Sequence, residues 1–178
     1  VLRDQHLLDA TTQGGYIDKP LLGQRNVNRN EIFGGRATLR VELAPDWTVD
    51  LMGVAQSTDA ADSQYADRDG PPLERAARVV EGAEADYLQG QFVVSGRLGE
   101  VRVRTTTGIV EQDLLEQYDA SQPDGPDQQF VQANDTAMIA NETRVWQPLG
   151  DRLGWLAGFS FTHNTTRLTR SLSSQVQR

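Results

Sequence analysis

Hydrophobic and polar residues alternate along three pairs of segments in this sequence. In 33–43, every odd-numbered residue is apolar or glycine, and four of the five even-numbered residues are polar or charged. An alternation with a period of two predicts a half-buried β-strand. Similar alternation, with single interruptions, recurs over 47–57, 88–98, 101–112, 137–147 and 154–165. Short turn-forming segments separate the members of each pair, so we predict three hairpins, at 33–57, 88–112 and 137–165.

The predicted fold class is all-β, with antiparallel up-and-down hairpins. We expect six strands of about eleven residues each, and a possible seventh that ends near Leu8. Residues two apart in a strand point to the same side of a sheet. Nine apolar side chains are therefore predicted to share one face, opposite to that of Arg36: Leu39, Val49, Leu51, Phe92, Val94, Val103, Ile109, Phe159 and Phe161.

Acidic residues concentrate between the predicted hairpins. Eight acids and three arginines occur in 58–86, and six acids with no base occur in 113–136. Each segment also contains a Pro and Gly turn sequence, at 69–72 and at 123–126. Together with 9–32, these segments are predicted to be long solvated loops at the end of the sheet opposite the tight turns. The acids over 59–69 lack the ligand spacing of a calcium loop, so we expect them to be solvated too.

Composition excludes several function classes. A net charge of -8 argues against nucleic-acid binding, and the absence of cysteine excludes disulfides, thiolate zinc sites and cysteine nucleophiles. Only two histidines are present, and no strand–turn–helix context supports a nucleophile elbow. We therefore expect no catalytic residues, no metal site and no cofactor. The length of 178 residues fits one domain, 1–178.

Two architectures explain the hairpins. A β-strand of roughly 9–11 residues crosses a bilayer when tilted, and membrane barrels join such strands by short turns on one side and longer loops on the other. Trp47, Trp146 and Trp155 all lie beside the short turns, as expected at a membrane interface. A soluble β-sandwich or antiparallel sheet would show the same alternation, however. The long loops at one end favour the barrel.

Several segments resemble the barrel of TonB-dependent outer-membrane receptors of the siderophore type. The likeness runs from about residue 13 to residue 170, although Asn141 and Thr143 depart from the family pattern. The family's TonB box, plug domain and final aromatic-ended strand have no counterpart in the sequence, so the resemblance implies an internal section of a larger barrel. The segments that carry it are 14–18, 26–29, 34–40, 47–51, 62–67, 141–145 and 154–159.

The resemblance also implies a function. The parent receptor would lie in the outer membrane of a Gram-negative bacterium and would bind and import a scarce solute, such as a ferric siderophore. Its partners would be outer-membrane lipid, the TonB system, the plug domain and the small-molecule substrate. Such transport makes and breaks no covalent bond in the solute, so the resemblance implies that the protein is not an enzyme. Two alternatives stay open from the residues alone: a soluble β-rich module that binds carbohydrate, and a passive porin-like channel.

Six residues are candidates for substrate binding. Arg36 and Arg40 lie on the polar face of one strand, where they would meet an anionic solute or the plug. Alternatively, they would form ion pairs with acids of that face, namely Glu42, Asp50 and Glu142.

The other four candidates are predicted near the loops. Tyr16, Tyr65 and Tyr118 would offer stacking surfaces to a ligand. His163 is expected at the loop end of the last strand, where it would contact the ligand or only the solvent.

Overall fold

A single antiparallel sheet makes up most of the molecule. The computed structural model describes residues 2–150 and 153–174, and the predicted third turn therefore includes two residues, 151 and 152, outside the described part. Seven strands lie in chain order across the sheet, which is not closed into a barrel. The strands are β1 (Leu2–Gln13), β2 (Asn30–Ala44), β3 (Trp47–Ala60), β4 (Ala83–Leu98), β5 (Val101–Asp119), β6 (Gln128–Gln147) and β7 (Trp155–Ser174).

This architecture confirms the all-β, up-and-down prediction. The possible seventh strand is present as β1, but it ends at Gln13 and not near Leu8. A single 3₁₀ turn, Pro20–Leu22, interrupts the first connection. Among the described residues, no helix is long and apolar enough to cross a membrane.

The register of the sheet confirms the predicted apolar face. Leu39 lies directly opposite Leu51, and Leu51 lies directly opposite Phe92. Directly opposite residues in an antiparallel ladder project to the same side. The same relation, followed across β5, β6 and β7, places all nine predicted residues on one face, which we call the apolar face. Arg36 lies on the other, which we call the polar face.

The apolar face is the more exposed one in the middle of the sheet. Phe92 on the apolar face is 42% exposed, whereas its neighbour Val93 on the polar face is 5% exposed. Leu51, Ile109 and Ile139 on the apolar face are likewise exposed. A soluble sheet normally buries its apolar face and exposes its polar face, so the arrangement here is reversed.

The strands extend further than the alternation predicts. They contain 12 to 20 residues, against the predicted eleven or so, because their pairing continues into the acidic segments. Asp113 and Asp135, for example, lie opposite each other in β5 and β6. The predicted loops at 9–32, 58–86 and 113–136 are therefore too long, and the segments that actually connect the strands there are 14–29, 61–82 and 120–127.

Trp47 covers a glycine of the neighbouring strand. It lies opposite Gly96 in the β3–β4 ladder, and a Cβ atom added at Gly96 would overlap the indole ring. A glycine inside a strand commonly marks such a close approach. The tryptophan beside the tight turn is thus held flat against the backbone of β4.

Replacing Gly96 with valine should displace this indole. We expect a loss of about 1–3 kcal/mol in the free energy of unfolding, the usual cost of forcing atoms into a filled site, together with a shift in tryptophan fluorescence. Gly108→Val is the matched control, because a Cβ atom at this strand glycine would have no atom closer than 3.9 Å. Equal unfolding free energies for the two variants would show that the position of the Trp47 indole does not require a glycine at residue 96.

Candidate ligand-binding site

The three connecting segments fold together at one end of the sheet. We call this unit, residues 14–29, 61–82 and 120–127, the loop cap. Its first two segments exchange backbone hydrogen bonds: the Asp18 N–H donates to the Leu73 carbonyl, and the Arg75 N–H donates to the Asp18 carbonyl, both at 2.9 Å. The Arg78 guanidinium joins the third segment by donating to the carbonyls of Pro123 and Gly125.

A buried lysine lies at the centre of the loop cap. Lys19 is 0% exposed, and its Nζ lies 2.5 Å from Asp62 Oδ1, 3.0 Å from the Val79 carbonyl and 3.3 Å from Glu81 Oε2. The ammonium group has three N–H donors, and three oxygens surround it. Asp62 and Glu81 are each 2% exposed. The prediction that these acids are solvated is therefore wrong for both.

Arg75 extends the charged cluster toward the surface. Its guanidinium donates to both carboxylate oxygens of Glu81, at 2.8 and 3.0 Å, and to Asp67 at 2.9 Å. Glu81 also accepts a hydrogen bond from the Asp119 backbone N–H at the end of β5. One buried carboxylate thus joins two segments of the loop cap to the sheet.

These contacts shift the acids toward their charged form. Burial by itself raises the pKa of Glu81, but the bonds from Arg75 and Asp119 and the charge of Lys19 outweigh it, so the pKa is lowered. The pKa of Asp67 is also lowered, chiefly by the Ala76 backbone N–H and further by Arg75. Both acids therefore hold the loop cap together as anions.

The loop cap should consequently open in acid. A carboxylate with a lowered pKa in the folded state stabilises that state above its unfolded pKa, ordinarily near 4.5 for Glu81 and 3.8 for Asp67, and loses this effect as the pH falls further. We expect the amide NMR signals of Arg75 and Ala76 to change reversibly between about pH 5 and about pH 3, before those of the β4–β5 ladder. Signals that stay unchanged over this range would contradict the stabilising role of the two acids.

Asn28 fixes the first segment of the loop cap. This buried side chain accepts hydrogen bonds from the backbone N–H groups of Tyr16 and Ile17, both at 2.7 Å, and donates to Gln64 at 2.8 Å. The exposed ring of Tyr16 is therefore carried on a backbone that is held at two consecutive residues.

A row of polar and aromatic side chains lies on the polar face beside the loop cap. We call it the loop-end patch: Glu116, Tyr118, Phe130, Gln132 and Arg170. Tyr118 Oη donates to Glu116 at 2.6 Å, Gln132 donates to Glu116 at 3.1 Å, and Arg170 donates to Gln132 at 2.9 Å. The rings of Tyr118 and Phe130 are 6.4 Å apart. The patch combines an aromatic surface with charged hydrogen-bonding groups, as ligand sites commonly do.

No family model, curated protein or solved structure matches this chain. The site must therefore be interpreted from its own geometry. In the described part of the chain, no group of three or more His, Asp or Glu side chains could hold a metal ion.

The predicted tyrosines all lie toward the loop end of the sheet, but not all of them are in loops. Tyr16 and Tyr65 lie exposed in the loop cap, whereas Tyr118 lies within β5 and not in a loop. His163 lies in the middle of β7 on the apolar face, opposite Ile139, because β7 continues eleven residues beyond it to Ser174. Its predicted position at the loop end of the strand is therefore wrong.

The predicted arginines lie far from the loop-end patch. Arg40 pairs with Asp50 through two hydrogen bonds, one of them 2.9 Å long, which confirms one of the predicted ion pairs. Arg36 shares a ladder row with Val110 of β5, eight residues from Tyr118. At about 3.4 Å per residue, that row is about 27 Å from the patch along the strand. Arg36 and Tyr118 therefore do not form one site.

Glu142 was predicted to form ion pairs with Arg36 or Arg40, and its observed partner is different. It bonds Arg144, two residues along its own strand.

Sequence reasoning missed the residues that organise the loop cap, namely Lys19, Asn28, Asp62 and Glu81. One signal was present: of 17 basic residues, Lys19 is the only lysine. A compact ammonium suits a buried site with three acceptors, whereas the five donors of a guanidinium would leave some unsatisfied.

Proposed function

We propose that this chain is a wall section of an outer-membrane TonB-dependent receptor, which binds and imports a scarce solute such as a ferric siderophore. One observation carries the proposal. Exposed large apolar side chains lie on the apolar face of five neighbouring strands, β3 to β7: Leu51, Phe92, Ile109, Ile139 and Phe161. Most buried apolar side chains of the described residues, Ile17, Ala77 and Val79, lie instead in the loop cap. Such a face needs an apolar environment, and lipid supplies it.

The height of the apolar face supports a bilayer environment. On β4 it extends from Leu88 to Leu98, a span of ten residue steps, or about 34 Å along the strand. With the roughly 45° tilt of membrane strands, this length corresponds to a band about 24 Å tall, close to the 25 Å typical of outer-membrane barrels. Three aspartates that face one another border the band at its loop end: Asp86, Asp113 and Asp135.

Polar groups within the apolar face satisfy one another. Asn141 donates to Thr107 at 2.8 Å and to Thr105 at 3.3 Å, and the hydroxyls of Thr105 and Thr143 are 2.8 Å apart. Lipid offers no hydrogen-bond partners, so polar groups that face it need internal ones. This cluster meets that requirement.

The loop cap and the loop-end patch would supply the solute contacts. Tyr16, Tyr65 and Tyr118 present exposed rings at this end, the first two in the loop cap and the third on β5. Recognition commonly resides in loops that a rigid scaffold positions. The exposed rings equally suit a soluble carbohydrate-binding module, which is the second candidate function.

Partition between membrane and buffer separates the two functions. The chain, refolded in neutral detergent and mixed with phospholipid vesicles, should stay with the vesicles after a wash with alkaline carbonate. It should aggregate when detergent is removed without lipid, because the apolar face is then uncovered and the unpaired edge strands can pair with those of other copies. A monodisperse monomer in detergent-free buffer that ignores vesicles would overturn the receptor proposal.

Ligand binding gives a second readout. Titration of the detergent-solubilised chain with a ferric hydroxamate siderophore should quench its tyrosine fluorescence, and replacement of Tyr118 by alanine should weaken the effect. Tyr87→Ala is the control, because this tyrosine bonds Gln89 within β4 and lies outside the patch. Binding of neutral oligosaccharides in place of the siderophore would favour the carbohydrate-binding function.

A further inference from the structure

A groove crosses the apolar face between β1 and β5. Its volume is about 800 Å³, and its floor consists of small residues, Gly35, Ala37, Gly53 and Ala55. A second depression of about 430 Å³ shares His6, Ala37 and Gly53 with it and continues toward the tight turns. Together they form an elongated channel along the direction of β2 and β3.

Large apolar side chains form the walls of the groove. Leu8 and Phe33 lie on the β1–β2 side and Leu88 lies on the β4 side, all of them exposed. At Gly53 an added Cβ atom would have no neighbour within 4 Å, so the space above the floor is open. The dimensions suit an elongated apolar ligand rather than a flat surface contact.

The loop end of the groove is acidic. Asp86, Glu111 and Asp113 line it there, and Asp86 lies directly opposite Asp113. No hydrogen bond or ion pair joins these three carboxylates to another described residue. Like charges placed directly opposite each other destabilise a sheet, and a cation at this end would relieve the repulsion.

We propose that the groove holds the acyl chain of a membrane lipid whose head group carries a cationic amine. The acyl chain of the lipid would lie over Gly53 and Ala55, and its amine would contact the carboxylates of Asp86 and Asp113. This assignment rests on the lipid-facing role proposed above for the same face. It adds a site of defined selectivity to a face that would otherwise contact bulk lipid without preference.

The test measures selectivity among three single-chain ligands. A long-chain alkyl amine, the alcohol and the carboxylic acid of the same chain length are titrated calorimetrically into the chain in neutral detergent micelles. We expect the amine to bind about tenfold more tightly than the alcohol, the size expected of two partly exposed charge pairs, and the acid to bind most weakly.

Two sets of variants locate the site. Gly53→Leu fills the floor and should weaken binding of all three ligands, whereas Gly108→Leu, on the polar face, should not. Asp86→Asn with Asp113→Asn should abolish the preference for the amine and leave binding of the alcohol unchanged. Glu84→Gln, on the same strand and face but outside the groove, is the matched control. If Gly53→Leu does not fold, Ala55→Leu narrows the same groove.

The outcomes separate this proposal from the proposed function. Equal affinities for the three ligands, or equal effects of Gly53→Leu and Gly108→Leu, would overturn the lipid site. Vesicle insertion that persists in that case leaves the receptor proposal standing. Failure of the unmodified chain to enter vesicles overturns the receptor proposal itself.

Discussion

Replacing Lys19 with methionine should open the loop cap and leave the sheet paired. The change keeps the length of the side chain but removes its charge, so Asp62 loses its only ion-pair partner among the described residues while it stays buried. Glu81 retains Arg75 but loses the ammonium group. Breaking a buried ion pair by removing one partner typically costs about 3–5 kcal/mol, an amount that the cap's few buried side chains cannot replace.

Limited trypsin digestion measures this opening. Cleavage after Arg68, Arg75 and Arg78 should accelerate in Lys19→Met, while fragments that end within β4 and β5 stay rare. Arg25→Met is the control, because Arg25 is an exposed cation in the same loop-cap segment. Adding Asp62→Asn to Lys19→Met should slow cleavage again, since the buried charge is then neutral. Unchanged cleavage in Lys19→Met would show that the buried pair does not hold the cap closed.

An arginine in place of Phe92 should block insertion into lipid. Phe92 lies in the middle rows of the apolar face, between Leu51 and Thr107 in the ladder. A charged side chain on the lipid face near the bilayer midplane costs about 2–4 kcal/mol. We expect the ratio of vesicle-bound to free chain to fall by at least about thirtyfold, which corresponds to the lower end of that range.

Gln91→Arg provides the matched control. Gln91 precedes Phe92 on the same strand but lies on the polar face, so an arginine there should leave vesicle insertion nearly unchanged. Equal losses for the two variants would indicate that added charge alone, and not its face, determines the result. No loss for either variant would contradict the proposal that lipid covers the apolar face.

The strands and their faces could be predicted because they depend on local pattern. In β2 and β3 the alternation within each strand predicts its apolar side. A β-bulge between Glu42 and Ala44, beside the two-residue turn, then sets the register in which Leu39 lies opposite Leu51. The extensions of β5 and β6 were less visible because apolar and polar residues do not alternate there: Leu114 and Leu115 are adjacent in sequence, as are Phe130 and Val131. They could still have been found, since Tyr118 and Phe130 are equidistant from Asp124 in the Pro123–Pro126 turn, and pairing symmetric about that turn brings them together.

The loop cap could not be predicted in the same way. Whether Asp62 or Asp69 is buried depends on where Lys19 lies in space, 43 residues from Asp62 along the chain. Asp69 begins the turn sequence at 69–72, but nothing in the local sequence of Asp62 marks that acid as buried. Composition correctly predicted acidic segments rich in turn residues. A few of their charges become buried only when the three segments of the loop cap pack against one another.

The chain order of the strands has a consequence for how the sheet forms. Each strand pairs only with its neighbours in sequence. The pairing of one strand therefore does not depend on a strand that is distant in sequence. Folding rates rise as contacts become more local in sequence. The sheet can therefore grow one hairpin at a time from any nucleus, and shortening it from the β7 side would leave the six remaining strands with all of their mutual pairings.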